Sequence, residues 1–115
     1  MRKYYIAGPM RGYPEFNFPE FHKAARILRR VGCEVFNPAE RDEAEGFDPT
    51  GLQGTMDELK KLKFDLREAL KVDLGWICDH ATHLYMLRGW SDSSGARAEY
   101  ALGKALGLTI EGEAS

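Results

Sequence analysis

Between Lys3 and Phe36 the sequence runs strand, helix, strand, and that order limits the fold more than any other feature. Lys3-Tyr4-Tyr5-Ile6-Ala7 is rich in residues that favour a pleated strand, and Gly8-Pro9 stops it. Pro19 suits the first turn of a helix whose apolar stripe is Phe21, Ala24, Ala25, Leu28 and Val31, with Lys23, Arg26, Arg29 and Arg30 towards water. Gly32 caps it, and Cys33-Glu34-Val35-Phe36 forms a second strand closed by Asn37-Pro38. Two strands joined through a helix are parallel, with a right-handed crossover.

Further along, Ala39 to Thr55 is polar and glycine-rich, with four acidic residues between Glu40 and Glu45, and reads as a surface loop or lid. Met56 to Ala69 has helical composition, and a continuation or a second helix follows through Leu74, Trp76, Ile77 and Cys78. A third strand is expected at Thr82–Leu87 and a last short one near Leu108-Thr109-Ile110, followed by a frayed tail, Glu111–Ser115. The sum is an α/β domain of three layers, Rossmann- or flavodoxin-like, with a parallel sheet of four or five strands. Its 115 residues make a single domain, 1–115.

In such sheets the ligand crevice lies beyond the carboxyl ends of the strands, where strand order reverses. Two loops qualify: Gly8–Phe18 after the first strand and Arg88–Gly95 after the third. The second opens a helix through Ser93-Ser94-Gly95, and unpaired N–H groups at such a start suit an anion. Glu99 falls one turn inside that helix, Asp73 on the helix before the third strand and Tyr5 near the exit of the first. Two carboxylates and a phenol at a crevice fit glycosidic chemistry, one carboxylate attacking the anomeric carbon and the other handling the proton of the leaving base. Each has a plainer reading: Glu99 as a solvated residue pairing with Arg97 or Lys104, Asp73 as a surface charge or cap, Tyr5 as core, and Arg11 as a solvent-facing loop cation.

Three blocks, Y-Y-I-A-G-P-M-R-G at Tyr4–Gly12, D-L-x-W-I-x-D at Asp73–Asp79 and S-x-G-x-x-x-E at Ser93–Glu99, resemble the nucleoside 2-deoxyribosyltransferase superfamily. It includes the 2′-deoxynucleoside 5′-monophosphate N-glycosidases, and the closest likeness is to its short phage and bacterial members of unassigned function. The resemblance implies cleavage or transfer at the N-glycosidic bond of a 2′-deoxynucleoside or its 5′-monophosphate. It assigns Glu99 as nucleophile, Asp73 as the carboxylate that contacts the sugar or protonates the base, and Tyr5 as the phenol orienting the nucleophile. Gly8, Met10, Arg11 and Gly12 would cup the sugar and any 5′-phosphate, and Ser93, Ser94 and Gly95 would hold that end. Trp90, in an interval longer than the hydrolases', is a candidate wall for the base, or a core plug. The alternative is a nucleotide-binding or sensing module that kept the fold without turnover. The family closes its crevice with a neighbouring subunit, so a homodimer or higher homo-oligomer is expected.

Net charge is −2, giving no footprint for a nucleic-acid polymer or a membrane surface, and no apolar run is long enough to span a bilayer. The amino terminus enters a strand without signal-peptide architecture, and Cys33 and Cys78 read as buried free thiols, so a cytoplasmic setting is expected. No cofactor is implied. Cys78, Asp79, His80 and His83 match no strong zinc spacing, so no metal is expected, and Asp79 reads as a cap or turn before the third strand. Tyr13, Phe16 and Phe18 either line a base pocket or anchor their own loop.

Overall fold

The structure is a computed structural model and describes residues 1–113. Strands β1 (Lys3–Ala7), β2 (Glu34–Phe36), β3 (His83–Met86) and β4 (Thr109–Gly112) form one parallel sheet in the order β2-β1-β3-β4. Tyr5 pairs with Phe36 on one side and Leu84 on the other, so it sits where the strand order reverses.

Alternation along β1 assigns the two faces. Tyr4 and Ile6 join a cluster with Phe21, Ala25 and Leu28 of α1 (Phe18–Arg30). Tyr5 and Ala7 face the opposite way, into a cluster with Ile77 of α4 (Leu66–His80) and Tyr100 and Leu102 of α5 (Ser94–Leu106). Helices therefore cover both faces, giving the expected three-layer α/β architecture.

Several sequence expectations are corrected. Val31 ends α1 rather than extending its stripe and is 71% exposed. The segment expected as a loop from Ala39 begins instead with α2 (Pro38–Ala44): the Asn37 side chain accepts the Ala39 N–H at 2.9 Å, and Pro38 occupies the first turn. Two helices do form, but the first stops earlier than the expected Met56–Ala69: α3 is Met56–Lys61 and α4 starts at Leu66, because Lys63 takes a positive φ of 55° and Asp65 caps the new helix by accepting the Glu68 N–H. Asp79 belongs to α4 itself, and Cys78, on its outer side, is exposed rather than buried. The tail expected to fray contributes Glu111 and Gly112 to β4, while Ala114 and Ser115 lie outside the described residues. Among the described residues no helix is long and apolar enough to cross a membrane.

Candidate active site

Two helices carry a carboxyl in the middle of an otherwise apolar buried stripe. On α4 the stripe is Ala69, Asp73, Ile77; on α5 it is Ala96, Glu99, Gly103. Both stripes press on the sheet face from which Tyr5 projects. The Tyr5 hydroxyl donates to Glu99 Oε2 at 2.5 Å, a buried bond between residues 94 positions apart. Glu99 is thus not a solvated residue paired with Arg97 or Lys104; it is 6% exposed. Asp73 is 7% exposed, and its Oδ1 is buried with no hydrogen-bond partner among the described residues. An orphaned buried oxygen is destabilising by about 1–3 kcal/mol, so its retention asks for a role.

The electrostatics follow from this burial. Loss of water pushes the Glu99 carboxyl up to about 8; the Tyr5 hydrogen bond draws it back and the Asp73 charge adds to the rise. Burial likewise pushes Asp73 up to about 7, reinforced by Asp42 and opposed by Arg41 and Tyr5. Tyr5, fully enclosed beside these acids, is held well above its ordinary value and stays a phenol donor. The two carboxyls titrate as a pair around neutrality.

A cavity of about 540 Å³ opens over these groups. Gly8, Met10, Arg11 and Gly12 line it from the loop after β1, and Ser93, Ser94 and Gly95 from the start of α5. Gly8 is needed because a Cβ there would stand 2.7 Å from Leu87 Cβ, where the loops after β1 and β3 pass each other. Ser93 spends its hydroxyl on the α5 cap, accepting the Ala96 N–H at 3.2 Å. The Arg11 guanidinium reaches Ser94 Oγ at 3.4 Å and Met56 Sδ at 3.0 Å, which sets a cation beside the helix start. Among the described residues no group of three His, Cys, Asp or Glu side chains is arranged to hold a metal ion.

Trp90 does not line the cavity. A left-handed turn at Gly89 (φ 86°) folds it back, and its ring stacks on Tyr100 with centroids 4.5 Å apart. The aromatic wall comes from elsewhere. Phe16, Phe18, Phe47 and Phe64 line the cavity, with Phe47 at the hub: its centroid is 5.4 Å from Phe16, 5.7 Å from Phe18 and 5.4 Å from Phe64. Tyr13 also lines it, so the loop aromatics both anchor their segment and face the crevice.

Phe47 and Phe64 escaped the sequence reading, and so did one carboxyl. Asp42 on α2 lines the cavity, is 4% exposed, and is pushed by burial up to about 6 despite Arg41 beside it. The signal was available: Asp42 stands three and four positions after Ala39 and Pro38, which are buried on the same face.

The fold and site define a small flavodoxin-like α/β domain with three buried carboxyls gathered at its topological switch point. The chain belongs to the family described as Domain of unknown function (DUF4406), which matches residues 2–111. Comparison with curated proteins and with solved structures gives no match.

Proposed function

We propose that this protein cleaves or transfers the N-glycosidic bond of a 2′-deoxynucleoside 5′-monophosphate through a glycosyl ester on Glu99. The observation that carries this reading is the buried Tyr5–Glu99 hydrogen bond of 2.5 Å beside an unpartnered Asp73 oxygen in one cavity. Tyr5 engages Oε2 and leaves Oε1 for attack on C1′. As the C1′–N bond breaks, its electron pair passes to the base nitrogen, which takes a proton from Asp73. Water, or the nitrogen of a second base, then attacks C1′. It displaces the Glu99 carboxylate and gives its proton to Asp73. Burial supports this division of labour, since two enclosed acids that titrate around neutrality can hold one proton between them. Arg11 beside the α5 start favours the monophosphate over the free nucleoside, because a guanidinium and unpaired helix N–H groups match a phosphate.

Incubation with each deoxynucleoside monophosphate, followed by chromatography for free base, tests the reading. Glu99→Gln is expected to lower base release by about four orders of magnitude while ligand binding persists. Release at the unmodified rate removes Glu99 as nucleophile; tight binding by the unmodified chain with no release leaves a nucleotide-sensing module.

We further propose that a second copy of this chain closes the crevice. Met56, Leu62 and Leu66, on α3, the break and the α4 start, are 44%, 51% and 47% exposed, and Met56 and Leu66 also line the cavity. Light scattering is expected to give at least twice the chain mass; a monomer mass at working concentration rejects the second copy.

A further inference from the structure

The cavity has two unlike ends. The sheet order places α5, which follows β3, on one side of β1, and α2, which follows β2, on the other. Arg11, Ser94 and Gly95 therefore mark an anion end, and Asp42 with Phe47 and Phe64 marks an aromatic end. Asp73 bears on Glu99, and Asp42 bears on both Asp73 and Tyr5, so the three carboxyls face one shared space. A nucleotide with its phosphate at Arg11 and C1′ over Glu99 extends its base past Asp73 towards Asp42.

Resting on the proposed glycosidic reading, we infer that Asp42 reads the base and selects deoxynucleotides whose base carries an exocyclic amino group over their carbonyl counterparts. Arg41 Nη1 donates to Oδ1 at 3.3 Å, and among the described residues no side chain donates to Oδ2. At slightly alkaline pH the group is mostly ionised, and a carboxylate only accepts hydrogen bonds. It pairs with the amino group of cytosine or adenine and repels the carbonyl oxygen that uracil or hypoxanthine places there. The surrounding phenylalanines contact any base face and do not distinguish these pairs. A buried polar group that loses its partner discriminates far more strongly than an apolar wall does.

The test measures dissociation constants by calorimetry at pH 7.5 for deoxycytidine against deoxyuridine monophosphate, and deoxyadenosine against deoxyinosine monophosphate. The protein carries Glu99→Gln so that nothing turns over. The amino member of each pair is expected to bind about tenfold to a hundredfold more tightly. Adding Asp42→Asn, whose amide can turn its NH2 to a carbonyl, is expected to abolish or invert that preference with an unchanged circular dichroism spectrum. Equal binding within both pairs overturns the inference without any variant, and so does a preference that survives Asp42→Asn. Equal base release from all four by the unmodified chain sustains the glycosidase reading and rejects the role of Asp42. Preferential amino binding with no base release does the reverse, and failure of all four to bind rejects both.

Discussion

Tyr5, Glu99 and Asp73 are all held above their ordinary values by burial, so all three make the same demand on pH. A folded carboxyl raised to about 8 from an ordinary 4.5 binds more protons than the unfolded chain does between those values. Its contribution to stability is therefore complete below about pH 4.5 and is lost as pH rises through 8. Asp73, raised from 3.8 to about 7, acts in the same sense over its own window. Melting temperature is thus expected to fall from about pH 5 to pH 9, and Glu99→Gln to flatten the upper part of that slope. Calorimetric scans across the range check this, and a melting temperature that rises over the interval contradicts it. Tyr5→Phe removes the one hydroxyl that draws the Glu99 value down, so the Glu99 titration is expected to move higher. Base release should then fall about a hundredfold at pH 7.5, with partial recovery at higher pH. Glu99, Asp73 and Tyr5 were singled out through three short blocks that resemble a known family, since taken as isolated positions each has a plainer reading as a surface charge, cap or core residue. Asp42 was hidden by Glu40, Glu43 and Glu45, whose charges make the whole run look solvated.

At the scale of elements, β1, α1 and β2 were readable because period-two and period-3.6 patterns follow each other without interruption. The helix α2 was not, since its burial rests on Pro38, Ala39 and Asp42 alone and Asn37-Pro38 serves equally as a strand stop or a helix start. The break between α3 and α4 was masked by Lys60, Lys61 and Lys63, good helix formers on either side of Leu62. Only Asp65, a cap residue, marked it. Element packing also sets the reach of Glu99. One turn beyond it, Gly103 lies so close to the sheet that a Cβ would overlap Leu84 Cδ1. Alanine inside a helix normally stabilises relative to glycine by about 1 kcal/mol. Here Leu84 is fully buried and overpacking opposes that gain by about 1–3 kcal/mol. Gly103→Ala is therefore expected to destabilise the chain in urea titration and to reduce base release more than stability alone explains. A stabilised variant contradicts the close approach.

The molecule as a whole has a radius of gyration of 13.3 Å, the value of a compact chain of this length. Its two apolar clusters lie on opposite faces of one sheet, with Trp76 and Trp90 packed against only one of them. Tryptophan fluorescence thus reports one face and far-ultraviolet circular dichroism the whole. Their urea midpoints are expected to coincide, because β1 contributes side chains to both clusters. Separate midpoints mean that the faces melt independently.

The hydroxyl at position 5 and the carboxyl at position 99 stand 94 positions apart along the chain and meet only through the tertiary fold. A fragment ending before α5 keeps the first strand, its partners and most of the cavity wall, yet holds no reactive pair. On the proposed reading, a copy clipped before α5 is therefore expected to release no base even where the rest of the cavity wall survives.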